Sequence, residues 1–331
     1  MHHFLRVVWQ LLRPRTLALI YIQLALLVVV LGWQPEAFQI VLMVVILALW
    51  YAHAVAINDI SDVETDSINL KSSMLHHDRP LVNLSSDTRQ LWAISWVLSA
   101  TLLICGLMLG WIVAVVCLAI VLLNFVYSLP PARLSGRGAV AQLVLPLGYV
   151  AFPALVVAAT SERADVGYWI FVAGLYLLFA GRLFLKDIRD EVGDRRTHKL
   201  TYLVRHGHGA NLLCAGGFMI GGIAIMAGSL SGVAYSIMAF AIASCIAICY
   251  VLWLMYRQDS LDRRLVYVAM AGRVASAWTF VCVIWFALHS YPQTGQVNPA
   301  WFVLVVAVLF GMGLYQLYEE LLKVPQQKTG K

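Results

Sequence analysis

Residues 58–66 carry the sequence NDISDVETD, an acidic run directly after an apolar stretch at 38–57. A second acidic run, DIRDEVGD at 187–194, follows another apolar stretch at 166–185. In a helix, side chains three or four positions apart lie on one face, so each run predicts a row of oxygen-bearing side chains. The first row contains Asn58, Asp62 and Asp66, and the second contains Asp187, Asp190 and Asp194.

The two acidic rows predict a cation site. So many carboxylates in one place repel one another unless cations neutralise them. Mg²⁺ prefers oxygen ligands, and proteins commonly hold it with a few carboxylates and the phosphate oxygens of a substrate. Two such rows on opposed helices therefore indicate Mg²⁺ as the cofactor and a diphosphate as the substrate.

The composition predicts an integral membrane protein. Of the 331 residues, 61% are hydrophobic and 12% are charged, whereas a soluble domain has roughly 25% charged residues. About 20 apolar residues cross the hydrocarbon core as a helix. We expect ten crossings, which form one all-α domain of packed helices over residues 1–331. The candidate spans are 16–33, 38–57, 90–109, 111–129, 139–160, 166–185, 210–229, 232–256, 267–288 and 299–318.

The basic residues predict the orientation of these spans. The connections at 34–37, 110, 161–165, 230–231 and 289–298 contain one of the 23 Lys and Arg residues, Arg163. Because cytoplasmic loops carry the excess of Lys and Arg, both termini and both acidic runs are predicted to face the cytoplasm, in a multi-pass protein of the cell membrane. The net charge of +6 is then a topology signal that suits anionic membrane lipids and gives no case for nucleic-acid binding.

Three connections on the predicted cytoplasmic side, 58–89, 128–138 and 186–209, bring Arg and Lys side chains towards the acidic rows. A diphosphate carries more charge than one divalent ion neutralises, so its outer oxygens are expected to bind such side chains. Arg182 lies one turn before the second run, near the edge of the hydrocarbon region. Charged residues at that depth are usually functional, and we expect a role for Arg182 in the site.

Glycines in the seventh span predict close helix packing. Gly216, Gly217, Gly221 and Gly222 have the small-xxx-small spacing that lets two helix backbones approach each other.

Four segments together resemble the UbiA-type intramembrane prenyltransferase superfamily. Residues 58–66 match the family motif NDxxDxxxD, and residues 186–194 resemble KDxxDxxGD. The turn YSLPPARL at 127–134 is similar to YSxPPxRL, and DRPL at 78–81 is similar to the family's RPL segment. The segments follow the family's order and cover about 60–210, so the family's core motifs lie within 58–210 of this chain.

The resemblance implies an all-helical fold, usually of nine spans around a central cavity, so we expect an all-α bundle of nine to ten transmembrane helices. It also implies transfer of a prenyl group from an isoprenoid diphosphate to a lipophilic, often aromatic, acceptor. By this resemblance the two acidic rows bind a Mg²⁺–diphosphate, and Tyr127 lies near the reacting allylic carbon. The expected catalytic residues are Asp62, Asp190 and Tyr127. The expected phosphate contacts are Lys71, Arg79, Arg133 and Lys186. Residues 72–77 and 82–84 depart from the family pattern, and the acceptor stays open.

The chemistry of an allylic carbocation also predicts an aromatic pocket. Such a cation needs a dry pocket with electron-rich ring faces, which Tyr and Trp provide. The candidates in spans that adjoin the acidic rows are Trp50, Tyr51, Phe125, Tyr127, Tyr149, Phe152, Tyr176 and Phe179.

Two other membrane proteins with aspartate motifs are alternatives. A CDP-alcohol phosphotransferase also uses clustered aspartates, but its continuous DGxxAR…GxxxDxxxD pattern is absent from this sequence. A cation transporter usually places its acidic residues near the bilayer midplane on interrupted helices, whereas these runs lie at helix ends beside Arg and Lys.

Overall fold

Apolar helices make up most of the chain. The computed structural model describes Val7 and residues 10–72, 87–230 and 235–290. The helices are α1 (Pro14–Val30), α2 (Ala37–Ser61), α3 (Val63–Ser72), α4 (Thr88–Leu109), α5 (Trp111–Ser128), α6 (Ala139–Pro146), α7 (Phe152–Ser161), α8 (Val166–Arg196), α9 (Tyr202–Ser229), α10 (Tyr235–Tyr256) and α11 (Leu261–Ser290). A π turn, Leu147–Ala151, joins α6 to α7, so these two helices form one span.

Eight helical segments of the described chain are long and apolar enough to cross a membrane, which confirms the prediction of an all-α membrane fold. The first predicted span, 16–33, coincides with α1, whose 17 residues give a length of about 25 Å. The predicted span at 299–318 lies outside the described residues, and the number of nine to ten spans stays a prediction.

Helices α8 and α9 pack with their backbones in contact. A Cβ atom on Gly222 would lie 2.6 Å from the carbonyl oxygen of Gly174, which is closer than real Cβ atoms approach. The predicted close packing of this span is therefore present at Gly222. It is wrong for Gly217 and Gly221, since a Cβ on either would meet nothing within 4 Å. Gly216 instead faces Leu252 of α10.

A short parallel β pair joins two connections that are distant in sequence. Strand β1 (Arg137–Gly138) follows α5, and strand β2 (Leu200–Thr201) follows α8. Arg137 pairs with Leu200, and Gly138 pairs with Thr201. The pairing fixes the turn after α5 beside the end of α8, where the second acidic run lies.

Candidate active site

The first acidic run lies across a helix break. We predicted one helix face for Asn58, Asp62 and Asp66, and this is wrong in detail because α2 ends at Ser61 and Asp62 has a non-helical φ of −111°. The amide of Asp62 still donates to the carbonyl oxygen of Asn58 (3.0 Å), and the amide of Asp66 donates to that of Asp62 (2.8 Å). This preserved i to i+4 register keeps the three side chains on one side.

The second acidic run is helical throughout. Helix α8 continues past its apolar part to Arg196, so Asp187, Asp190 and Asp194 lie along one face at the predicted spacing. The hydroxyl of Thr65, near the end of the first run, and that of Thr197, shortly after the second, are 3.1 Å apart. The ends of the two runs therefore meet.

Both acidic runs line one cavity of about 530 Å³, here called the polar cavity. Its wall combines carboxylates, hydroxyls, amides and two ammonium groups, with few apolar side chains. The lining residues are Asn58, Asp62, Thr65, Asp66, Tyr127, Ser135, Ala141, Gln142, Leu145, Leu183, Lys186, Asp187, Asp190, Asp194, Lys199 and Thr201.

Asp62 is a carboxylate of the polar cavity that has two cationic partners. It is buried, at 4% exposure, and its oxygens lie 3.0 Å from Nη2 of Arg133 and 2.8 Å from Nζ of Lys199. Burial alone would raise the pKa of Asp62, but Lys199 and Arg133 outweigh burial and lower the pKa below its ordinary value. Asp62 is therefore ionised at neutral pH.

Arg133 reaches Asp62 from the turn that follows α5. The Pro130-Pro131 pair ends the helix, since proline lacks an amide donor and restricts the residue before it. Arg133 itself has a left-handed backbone, with φ 35°, and its guanidinium also donates to the carbonyl oxygen of Ser61 (3.3 Å). The turn thus connects α5 to the break after α2.

Lys199 is a site residue that the sequence analysis left out of its candidate set. In the sequence it directly precedes β2, and in space its ammonium group lies between the two acidic runs. Burial alone would lower the pKa of its ammonium, but the carboxylates of Asp62, Asp194 and Asp190 raise the pKa above its ordinary value. In the sequence, the one signal for a role of Lys199 in the site was its position in the basic stretch directly after the second acidic run.

Four buried oxygen atoms in the polar cavity have no hydrogen-bond partner among the described residues. They are Oδ1 of Asp194, Oε1 of Gln142, Oγ of Ser135 and Oγ1 of Thr201. Buried polar atoms are normally paired, so this wall is suited to bind a cation or a polar ligand. Within the same described ranges, no three acidic, His or Cys side chains form a metal-binding group by themselves. A cation held here would therefore need further oxygens from a ligand, as Mg²⁺ commonly does.

A second cavity of about 690 Å³, here called the aromatic cavity, adjoins the polar one. The two share Asn58, Tyr127, Leu145 and Lys186 as lining residues, so those four residues mark the junction. The other lining residues of the aromatic cavity are Arg13, Trp50, Tyr51, Ala54, Val55, Ile120, Leu123, Asn124, Ser128, Val144, Gly148 and Tyr149.

Four of the eight predicted aromatic candidates, Trp50, Tyr51, Tyr127 and Tyr149, line this cavity. Trp50 and Tyr149 meet edge to face, with ring centroids 5.5 Å apart. The four others are Phe125, Phe152, Tyr176 and Phe179; Phe179 stacks on Tyr149 with centroids 4.8 Å apart.

The remaining aromatic candidates pack behind the wall of the aromatic cavity or lie away from that cavity. Phe152 packs on Trp50 with centroids 5.4 Å apart, and Phe125 stacks parallel to Trp92. The hydroxyl of Tyr176 donates to the carbonyl oxygen of Leu143. Helical position alone does not tell a cavity-facing ring from one that packs behind it.

Of three further predicted site residues, one lies away from both cavities and the side chains of two fall outside the described part of the chain. Arg182 lines neither cavity, because its guanidinium lies over the ring of Phe179, 5.6 Å from the centroid, on the side facing Gly272 of α11. The side chain of Lys71 and the whole of Arg79 lie outside the described part of the chain, and their roles stay predictions.

The sequence profile of the UbiA prenyltransferase family matches residues 18–271. That match includes both acidic runs, the turn after α5 and most of the described helices. No curated protein sequence matches this chain.

Solved structures of low sequence identity share the fold. A UbiA homologue from Archaeoglobus fulgidus bound to DMAPP and Mg²⁺ superposes with a TM-score of 0.63 at 17% identity, covering 83% of this chain and 98% of the homologue. A digeranylgeranylglyceryl phosphate synthase gives 0.62 at 15% identity, covering 86% and 98%. An apo UbiA homologue from Aeropyrum pernix K1 gives 0.58 at 18% identity, covering 80% and 98%.

Proposed function

Because the chain belongs to the UbiA prenyltransferase family, we propose that it transfers a prenyl group from an isoprenoid diphosphate to a lipophilic acceptor within the membrane, with Mg²⁺, and releases diphosphate. The junction of the two cavities is the observation that carries this proposal. A polar wall suited to a charged head group meets an aromatic wall suited to a hydrocarbon chain at Asn58, Tyr127, Leu145 and Lys186.

The polar cavity would hold the diphosphate together with Mg²⁺. When bound, Mg²⁺ would neutralise phosphate oxygens and stabilise the charge of the leaving group. The unpaired oxygen atoms in the wall fit such a ligand, and two structures of a UbiA homologue from Archaeoglobus fulgidus, one bound to DMAPP and Mg²⁺ and one bound to GPP and Mg²⁺, support the assignment. The residues proposed to hold the ion are Asn58, Asp62, Asp66, Asp187, Asp190 and Asp194.

Basic side chains would stabilise the departing diphosphate. As the bond between the allylic carbon and oxygen breaks, its electron pair leaves with the diphosphate, and negative charge grows on the phosphate oxygens. Lys199 and Arg133 are already held beside Asp62, and Lys186 stands at the junction. Charge that is fixed in place before the reaction stabilises a transition state without further reorganisation.

The aromatic cavity would hold the prenyl chain and its carbocation. The ring of Tyr127 lies at the junction, where the bond to diphosphate would break, and Trp50, Tyr51 and Tyr149 line the aromatic cavity but not the polar one. Their faces attract the cation and exclude water. The acceptor then forms a bond to the same carbon and loses a proton.

The family match favours prenyl transfer over the two alternatives from the sequence, a CDP-alcohol phosphotransferase and a cation transporter. The break after α2 and the helical second run also place the acidic side chains around one cavity, beside Lys199 and Arg133.

We assign the site to the cytoplasmic face of the cell membrane. The asymmetry of Lys and Arg between alternate connections supports this orientation.

Product analysis tests the proposed function. Purified protein is incubated with labelled prenyl diphosphates of several lengths and with lipid extract of the host, in the presence of Mg²⁺ or of a chelator. We expect a labelled lipophilic product and stoichiometric diphosphate only with Mg²⁺. Release of diphosphate without any prenylated product, or transfer that persists under chelation, would contradict the proposal.

A further inference from the structure

Two buried hydroxyl groups line the polar cavity without a hydrogen-bond partner in the described chain. Ser135, in the 3₁₀ turn Leu134–Gly136, is 5% exposed, and Thr201, in β2, is 3% exposed. Both residues line the cavity, and neither Oγ of Ser135 nor Oγ1 of Thr201 is bonded to a described residue. Because a buried hydroxyl without a partner is unfavourable, a bound ligand is expected to supply the partner.

Thr201 lacks the hydrogen bond that a threonine at its position usually makes. It is the N-cap residue of α9, where a threonine side chain ordinarily accepts from an amide of the first helical turn. The side chain of Thr201 makes no such bond. Its backbone is fixed instead, because its amide donates to the carbonyl oxygen of Lys199 (2.9 Å) and the residue pairs with Gly138 of β1. The backbone therefore holds Thr201 in the cavity wall while its hydroxyl stays uncommitted.

The two hydroxyls lie close to the cationic side chains of the site. The turn that carries Ser135 contacts β2, which carries Thr201. Ser135 follows Arg133 by two positions. Thr201 follows Lys199 by two positions, and Arg133 and Lys199 both contact the carboxylate of one residue, Asp62. Two connections that are distant in sequence thus bring two hydroxyls and two cations to one part of the site.

This part of the site lies on the far side of the polar cavity from the prenyl chain. The junction with the aromatic cavity contains neither Ser135 nor Thr201 nor Lys199. In a donor whose chain occupies the aromatic cavity, the inner phosphate stays at the junction, because it carries the ester bond to the chain. The outer phosphate then extends away from the junction, towards the two hydroxyls.

The chemistry of the hydroxyls fits a phosphate better than it fits a metal ion. Mg²⁺ is commonly held by carboxylates and phosphate oxygens, and the two acidic runs supply the carboxylates. The hydroxyls come from other elements, next to cationic groups that attract phosphate oxygens. A hydroxyl that donates to an anionic oxygen makes a charge-assisted hydrogen bond, which is stronger than a neutral one.

We propose that Ser135 and Thr201 donate hydrogen bonds to the outer phosphate of the isoprenoid diphosphate and thereby select a diphosphate donor over a monophosphate donor. The inference rests on the proposed function, since it assigns the part of the donor that these two residues recognise. Both are binding residues in this account, and the pairing of β1 with β2 holds Thr201 in place.

The chain offers matched controls for the loss of a buried hydroxyl. Ser99 of α4 and Thr279 of α11 are 6% and 7% exposed. Each hydroxyl donates to the carbonyl oxygen four residues earlier, at 2.9 Å and 3.0 Å, and neither residue lines a cavity of the site. Ser99→Ala and Thr279→Val therefore make the same chemical changes as Ser135→Ala and Thr201→Val, away from the donor.

Donor binding tests the inference. The affinities of geranyl thiolodiphosphate and geranyl monophosphate are measured in detergent across a Mg²⁺ titration for wild type, the two site variants and the two controls. Wild type should prefer the diphosphate. Each site variant should bind the diphosphate at least about tenfold more weakly at saturating Mg²⁺, as expected for one hydrogen bond to a charged group, and should bind the monophosphate as wild type does. The controls should match wild type with both ligands.

The unfolding temperature of the ligand-free protein is the second readout. Replacing an unpaired buried hydroxyl by an apolar group of similar shape is neutral or stabilising. Ser135→Ala and Thr201→Val should therefore unfold at the wild-type temperature or above it when no donor is present. A hydroxyl that served only the packing of the connections would give a lower unfolding temperature on removal.

Wild-type affinity for the diphosphate in either site variant, an equal loss for the monophosphate, or a lower unfolding temperature without ligand would overturn the inference. Equal affinity of wild type for the two ligands would also overturn it. A loss that disappears at saturating Mg²⁺ would identify the hydroxyls as ligands of the ion and overturn it as well. Failure of the proposed function is visible separately, as the absence of Mg²⁺-dependent prenyl transfer with the lipid extract.

Discussion

Nζ of Lys199 lies 2.8 Å from Oδ2 of Asp62, although the two residues are 137 positions apart in sequence. The contact joins the connection after α8 to the break after α2. It depends on the pairing of β1 with β2, which holds the chain around Lys199 beside the turn that carries Arg133. Both acidic runs thereby share one cavity with a fixed ammonium group.

Lys199→Met is expected to weaken donor binding. Loss of one charge-assisted contact costs about 1.5–3 kcal/mol, which is a roughly tenfold to hundredfold loss of affinity. Binding of a labelled isoprenoid thiolodiphosphate at saturating Mg²⁺ measures the effect. Arg163→Met, in the connection between α7 and α8, serves as control and should bind as wild type does. Equal affinity in Lys199→Met and wild type would remove Lys199 from the site.

Substitutions of Tyr127 are expected to separate the ring from its hydroxyl. A desolvated cation–π contact contributes about 2 kcal/mol, so Tyr127→Ala should lower kcat about 30-fold or more. Tyr127→Phe keeps the ring and should lose no more than about fivefold, the effect of one neutral hydrogen bond. Single-turnover rates with saturating donor provide the measurement. An unchanged rate in Tyr127→Ala would leave only a structural role for the turn.

The contact between α8 and α9 predicts a contrast between two glycines. Gly222→Leu would force the helix backbones apart, and overpacking of this kind typically costs about 1–3 kcal/mol. Gly217→Leu places the same side chain in open space on the same helix. We expect a lower unfolding temperature in detergent for Gly222→Leu alone. Similar unfolding temperatures for both variants would contradict the observed packing.

The orientation can be tested by cysteine labelling. All six native cysteines are first replaced, and a single cysteine is then introduced at either of two exposed positions, by Glu162→Cys or Arg137→Cys. A membrane-impermeant maleimide added to intact cells should label the first variant and not the second. The reverse labelling would place the polar cavity on the outer face.

Much of the fold could be predicted from the sequence because membrane spans depend on long apolar runs. The helical spacing of Asp187, Asp190 and Asp194 was equally predictable, since α8 continues through the second run. The break at Asp62 could not be predicted. The i to i+4 hydrogen-bond register continues across it, so the acidic residues have the same spacing in the sequence as in an unbroken helix.

Contacts between distant residues account for what the sequence did not reveal. Lys199 gains its place through β1 and β2, two strands of only two residues each, which are too short to leave a pattern. Arg182 was expected in the site, but the rotation of α8 directs it over Phe179. Helix rotation, which decides cavity lining, depends on packing against neighbours that a single sequence does not specify.

The central claim is that the two acidic runs form one Mg²⁺-dependent diphosphate site. Binding of labelled geranyl thiolodiphosphate is measured across a Mg²⁺ titration for wild type, Asp62→Asn, Asp190→Asn and the double variant, with correct folding verified by unfolding temperature. The account predicts that each single variant loses Mg²⁺-dependent binding and that the double variant is no worse than either, because groups that act as a unit are not additive. Near-normal binding by either single variant at saturating Mg²⁺, or additive losses in the double variant, would contradict it.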